Sequence, residues 1–547
     1  ACIDLTGIAP VAYVSLGARP DTMPNTGSLT KVAEVGGSLK QVQQAFQSYQ
    51  VARMEFINQL TTFLDKKDPQ NITLEALMKN DVMGVLCCPL ASDPVPGVQS
   101  LSLSCLSKLA GADPLLSQVI VTCGVLDSVV QSMSHDSPPV QAAADGVLSA
   151  VARSTTDNAH NVMMAGALPP LLEQLRSAHT PPAVKESAVS TLDSLIQSSE
   201  GNAAVICNPE LLSTLVALML SADSPHSLCK AIVKALGNVA AVSSVLADAV
   251  VAQNALEPLT RLARGSNTPP DLKAAALHSL SHVCSHDEAL ANKVAETGVV
   301  PAAVQALADR MTPSIRRNAA LLLLQMVQKT PELAEAVSTA GAPACLRKYM
   351  PLERGNEAGA RVGIMMAGSL ACYNAVIAKA LVDSCSDVMV DSIGHRDASI
   401  SAAGAWAIEQ AAAHGPDVAM ALVAQNCMRE LVATYARTRV TKPELKAKLK
   451  SAIKAVIRNC NATGPLEAFI SPSTPPELAK HLLARLHVLL QDDPKARQQM
   501  VTSGALARLQ KLSGLDAKGQ QHADAINALF PPDVVAYYEQ AAPKLKP

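Results

Sequence analysis

Aromatic side chains are scarce in this chain. Five Phe, seven Tyr and one Trp make up 2% of 547 residues. Strand-rich folds draw heavily on aromatic and β-branched residues, so the deficit argues for helices. An excess of either charge is also missing. Lys plus Arg is 45, Asp plus Glu is 47, and the formal net charge is -2. That excludes a globally basic nucleic-acid binder and leaves room only for a local basic patch. No run reaches eighteen apolar residues, so no membrane span is expected. The first residues lack a basic region followed by an apolar core, so no secretory signal is read there. Thirteen cysteines are dispersed without a CxxC. They read as small buried hydrophobes in a reducing compartment. GxSxG, HExxH, Walker, GxGxxG and EF-hand patterns are all absent, and neither an enzyme nor a cofactor is expected.

What is present is apolar bulk and a repeat. Hydrophobic residues are 49% and charged residues 17%, enough to bury a large core. One pattern recurs: an apolar residue, three residues, a small or turn-forming residue, then an apolar run. VMMAGALPPLLEQL (162–175), KVAETGVVPAAVQAL (293–307), AVSTAGAPACLRKY (336–349) and MVTSGALARLQKL (500–512) are clear copies. The turn position falls at Asp81, Gly124, Gly166, Pro209, Asn254, Gly298, Gly341, Cys385 and Asn426, with a late copy at Gly504. A longer apolar helix follows the same period, centred on Leu148, Leu192, Leu236, Leu280 and Leu324 among others. A period near 43 fits armadillo and HEAT units at about 40–47 residues and is too long for tetratricopeptide or ankyrin units.

Within a unit, residues 155–166 read as a short helix ended by Gly166, 168–177 as a second opened by Pro169-Pro170, and 182–199 as a third opened by Pro182. The triplet predicts an all-α, right-handed armadillo-repeat solenoid rather than paired HEAT helices. Gly124, Gly166, Gly298, Gly341 and Gly504 permit positive φ, and Asp81, Asn254 and Asn426 can reach it. Pro209 cannot and Cys385 does so at a cost, so local distortions are expected at 209 and 385. The expected division is an extended arm over 1–40, a capping helix over 41–68, about ten units over 69–514, and a final helix and tail over 515–547.

Little else suggests chemistry. His282 and His286 stand four apart with Cys284 between them, but a third ligand is missing, so no metal site is expected. Arg310, Arg316 and Arg317 form a small basic spot, read as a solvated rim. The third helices lack a ladder of Asn; Asn238 and Trp406 each occur once, against the groove of a cytosolic adaptor that binds peptide segments. One asymmetry stands out. Arg437, Arg439, Lys442, Lys446, Lys448, Lys450, Lys454 and Arg458 face a single acid, Glu444, within 22 residues. This segment is either a solvated surface or a dock for an acidic partner. The lack of interleaved aromatics disfavours nucleic acid.

Several blocks resemble the armadillo-repeat family of the ciliary central apparatus. They are QVQQAFQSYQVARMEFINQL (41–60), PQNITLEALMKNDVMGVL (69–86), GAWAI (404–408) and HGPDVAMALV (414–423). The C-terminal blocks are more specific: KSAIKAVIRNC (450–460), PLEAFISPSTPPELAKHLL (465–483), DDPKARQQMVTSGALARLQKL (492–512) and FPPDVVAYY (530–538). The likeness runs over roughly 41–538, is looser in the middle, and fits a divergent ortholog or a paralog. It implies a scaffold on one microtubule of the motile cilium's central pair, needed for coordinated beating and placed in the axonemal cytoskeleton. The implied partners are tubulin or the microtubule lattice, other central-apparatus proteins and further copies of the chain along the lattice. On this reading the basic segment faces tubulin.

Overall fold

A computed structural model describes residues 27–65, 86–87, 95–438, 442–472 and 474–540. Among them every regular element is helical, and no strand occurs. From Pro114 to Asn459 the order is a triplet, with the first two members merged at Ala375–Ile393, and a single short helix, Thr463–Glu467, precedes Pro476–Gln491. A short helix such as Thr156–Met164 leads to a second, Leu168–Arg176, and a long third, Pro182–Ser198. Successive third helices pack side by side from Pro96–Ala112 through Pro476–Gln491, and one continuous apolar core threads between them. This is an all-α armadillo-type solenoid.

Local chemistry explains the triplet. Seven successive first helices open on a side chain that accepts a backbone N–H of the first turn, while Pro416–Ala424 opens on Gly415 without one. Asp113, Thr155, Ser199, Ser243, Asp287, Thr330 and Asn374 do this in turn. Such a cap stabilises by about 0.5–2 kcal/mol. Proline sits in the first turn of the third helices at Pro96, Pro138, Pro182, Pro270, Pro313, Pro443 and Pro476, where its missing N–H has no partner to lose. Between first and second helices the chain turns through the left-handed region at Gly124, Gly166, Asn254, Gly298, Gly341, Asn426 and Gly504, with φ from 58° to 93°.

The two exceptional turns behave differently from each other. At 209 the turn has moved upstream. Cys207 makes the corner (φ -81°, ψ 59°), Asn208 caps, and Pro209 is simply the first helical residue. At 385 the first and second helices run together as Ala375–Ile393, with a kink at Cys385 (φ -141°, ψ 23°). Asp81 lies outside the described residues. The extended arm is corrected in part: a helix already runs from Gly27 to Asp65, taking Gly36 and Gly37 into its interior. Residues 1–26 lie outside the described set.

Polar links fasten unit to unit. His286 Nε2 donates to the Ala240 carbonyl (2.5 Å), Lys329 Nζ to Ser285 (2.6 Å), Tyr373 Oη to Val327 (2.5 Å) and His414 Nε2 to Ala371 (2.6 Å). In each case a residue just past one third helix closes the open C-terminal end of the third helix before it. The rim reading of Arg316 is corrected. Its side chain is 4% exposed, that of Glu353 is not exposed at all, and the two meet at 2.5 Å. Arg316 also donates to the carbonyls of Asp309 and Leu352, and Arg317 Nε reaches the other Glu353 oxygen at 2.7 Å. The cluster joins the third helix Pro313–Val327 to the second helix of the next unit. Neither residue type alone signals this, because the partner lies 36–37 residues away. Arg310 stays exposed.

Asp145 gives the array a pH response. Its carboxylate is buried in the helix Pro138–Ser154 and accepts from Ser187 Oγ (2.7 Å) and Gln174 Nε2 (3.4 Å). Burial pushes its pKa up to about 7, against the weaker downward pull of those two donors. A raised acid binds its proton more tightly in the folded state. Its contribution is therefore complete below pH about 4 and is lost as the pH rises through about 7. Thermal melts at pH 5 and pH 8 are expected to show lower stability at pH 8, and Asp145→Asn should flatten that difference. An unchanged difference in the variant would remove Asp145 as its source.

Candidate partner-binding surface

The basic segment is built on the helix Pro443–Asn459. Leu445, Leu449, Ala452, Ile453, Val456 and Ile457 bury one face in the array, so the intervening cations are forced outward. The structure divides them. Arg437 pairs with Glu430 at 2.9 Å and also bonds Thr434. Lys450 pairs with Glu477 of the next third helix. Lys446 lies 5.1 Å from the centre of the Tyr435 ring, and the Tyr435 hydroxyl donates to the same Glu477. The Lys450 ammonium, first among its neighbours, holds the Glu477 carboxyl below the usual range. Three of the eight cations are thus set against an acid or a ring, and a fourth, Arg439, lies outside the described residues.

The rest stays open. Lys448, Lys454 and Arg458 are exposed, and at 100° per residue they span an arc of about 120° on the helix. Lys454 stands close enough to His481 on the neighbouring third helix to help lower its pKa, behind the larger effect of burial. Lys442 faces the other way. With Arg437 it lines a shallow cleft of about 380 Å³ together with Gly394, His395, Arg396 and Ser401. Arg396 belongs to this second patch and was invisible as such in the sequence, because it lies 41 residues before Arg437 and one unit away. The surface is therefore two cationic patches on adjacent units rather than one stripe.

Other candidates resolve into packing. His282 Nε2 meets His278 Nε2 at 3.1 Å, while His286 is engaged with Ala240. Among the described residues no three metal-ligating side chains converge. Asn238 is held by Asp193 at 2.8 Å. Trp406 lies on Gly368, where a methyl group would come within 2.2 Å of the indole. Asn238 and Trp406, the two residues that could mark a peptide groove, are both engaged in contacts between units. The turn glycines Gly124, Gly166, Gly298, Gly341 and Gly504 shape the backbone.

No family model matches the chain. Over 140 residues it is 34% identical to sperm-associated antigen 6 of Homo sapiens and 33% identical to that of Mus musculus. The match covers 25% of this chain and 27% of each relative, so it spans about a quarter of the relatives' length. Among solved structures, an engineered protein superposes with a TM-score of 0.61 at 19% identity, covering 81% of this chain and 97% of its own. A designed armadillo repeat protein in complex with the peptide (KR)4 covers 45% of this chain and 99% of its own, at 21% identity and a TM-score of 0.41. The helix triplet and its period make the chain an all-α armadillo-type solenoid, and over 140 residues its sequence is similar to sperm-associated antigen 6.

Proposed function

We propose that the chain is a non-enzymatic scaffold of the motile cilium. On this reading it sits in the axoneme on a microtubule of the central pair, contacts neighbouring projection proteins and is needed for beating. The likeness to sperm-associated antigen 6 carries the reading, and the C-terminal blocks at 450–538 give it its ciliary sense. A solenoid of some 500 residues offers a long surface, which suits a bridge between partners. The open cations Lys448, Lys454 and Arg458, with Lys442 and Arg396 nearby, would face the acidic surface or tails of tubulin. Attraction of this kind reaches about 8 Å at physiological salt.

The test is microtubule co-sedimentation of parent and variant at one salt concentration. Lys448→Glu with Lys454→Glu and Arg458→Glu is expected to weaken binding roughly tenfold, at about 0.2–1 kcal/mol per surface charge. Removal of the tubulin tails should have a similar effect. Unchanged binding of the triple variant would assign these cations to solvent or to a projection protein. A tagged copy that fails to enter a motile flagellum would overturn the ciliary reading itself.

A further inference from the structure

The second cationic patch differs from the first in shape. Lys448, Lys454 and Arg458 stand on the outside of one helix, whereas Arg396, Arg437 and Lys442 line a single cleft of about 380 Å³. They reach it from three separate places. Arg396 stands between the helices Ala375–Ile393 and Ala398–Ala412, Arg437 ends Cys427–Arg437, and Lys442 precedes Pro443–Asn459. Arg396 and Lys442 are exposed, and neither has an acid partner among the described residues. The acids nearby are placed elsewhere. Asp397 caps Ala398–Ala412 and accepts from the Ser399 and Ile400 amides. Glu444 borders a neighbouring cleft beside Ser399, and Asp391 lines another with Arg354 and His395. Among the described residues that line the cationic cleft, none is acidic. Glu430 lies beneath it: it accepts from Arg437 at 2.9 Å, and a methyl group on Gly394 would come within 2.8 Å of its Oε1.

We propose that this cleft takes a phosphate monoester carried on a serine or threonine of a protein partner. Three cations set against one carboxylate leave two positive charges, and a phosphoserine carries about −1.5 to −2 at neutral pH. One glutamate side chain balances half of that. Two guanidiniums also match phosphate oxygens in planar pairs. The hydroxyls of Ser401 and Thr438 line the cleft, but they already donate to the carbonyls of Ile393 and Thr434, so charge rather than neutral donors must hold the ligand. His395 Nδ1 accepts from the Asp397 amide at 3.0 Å, which leaves the ring proton on Nε2. The helix Pro443–Asn459 begins at Lys442 with no side-chain cap, and Leu445 of its first turn lines the cleft. Its positive end adds to the field felt by an anion there. No Phe, Tyr or Trp lines the cleft, so a nucleotide finds no ring on which to stack. The concave shape, shared by two units, suits one protruding side chain better than a flat lipid surface. The proposal rests on reading the two patches as a docking surface, and it gives the second patch a ligand of its own.

The experiment uses the purified full chain and fluorescence anisotropy. The probe is a labelled peptide pool with one central phosphoserine between random uncharged residues, compared with the same pool carrying serine or glutamate at the centre. The phosphorylated pool is expected to bind at least about tenfold tighter than either, the equivalent of one charge-assisted hydrogen bond. Inorganic phosphate should compete with it. Arg396→Ala with Lys442→Ala should abolish the preference, while Arg310→Ala with Lys495→Ala, exposed cations elsewhere on the array, should keep it. All three proteins should melt alike. Equal binding of the phosphoserine and glutamate pools, or a preference that survives in the cleft variant, overturns the proposal. Vesicles rich in phosphatidic acid present the same monoester on a flat surface, and binding to them that depends on Arg396 and Lys442 would assign the cleft to a membrane instead. No readout here involves microtubules, so failure of the cleft is distinct from failure of the ciliary reading.

Discussion

Glu353→Ala is expected to destabilise the array by about 3–5 kcal/mol, because it strands the Arg316 guanidinium in a dry interface. Arg316 has three acceptors there: the Glu353 carboxylate and the carbonyls of Asp309 and Leu352. Loss of the carboxylate leaves a buried charge with neutral partners only. The two helices it joins belong to different units, so the damage should concentrate at their junction. Hydrogen exchange within Pro313–Val327 and Ala342–Leu352 reads this directly, and urea denaturation reads the total. The companion variant separates the pair from its components. Arg316→Met with Glu353→Leu should recover much of the loss, because replacing both partners by apolar groups removes the desolvation cost along with the attraction. A single-variant loss below 1 kcal/mol would show that water reaches the site.

The second large effect lies about two turns further along the same helix. Leu322 and Leu323 are fully buried and Leu324 is 7% exposed. Leu323→Ala should cost about 4 kcal/mol and Leu324→Ala nearer 2 kcal/mol, the difference reflecting how far each cavity can collapse or admit water. Equal losses at the two positions would mean that the helix sits in another rotation than the structure gives it. Each unit is stabilised by its neighbours, so the loss should appear as lowered cooperativity of the whole transition as well as a shifted midpoint.

The solenoid was legible in the sequence because its determinants are local. Gly124, Gly166, Gly298, Gly341 and Gly504 stand where the chain needs positive φ, and Asn254 and Asn426 substitute for glycine at 58° and 61°. The caps from Asp113 to Asn374 are equally local, and they recur every 42–44 residues. Pro209 misled because cap and turn exchanged places there: Asn208 supplies the cap and Cys207 the corner. The start of the first helix was missed because Gly36 and Gly37 oppose helix formation locally. The charged segment was only half legible. Its cations could be counted, but their neutralisation depends on Glu430, seven residues before Arg437 in the same helix, and on Glu477 across a unit boundary. Arg316 failed for the same reason, since Glu353 is a partner only in three dimensions.

The bonds that close the third helices all point one way, from a later residue back to an earlier helix end. This gives the molecule a sense of time. As the chain leaves the ribosome, the helix His226–Val242 is complete well before His286 exists to close it, and Pro270–Ser285 waits in turn for Lys329. At 5–20 residues per second the interval is about 2–9 s per unit. Growth should therefore proceed as a moving front, with one unfinished unit at the leading edge and finished ones behind it. A ribosome paused near 250 should hold a nascent chain whose last helix end is still solvated, and resumption past 286 should close it.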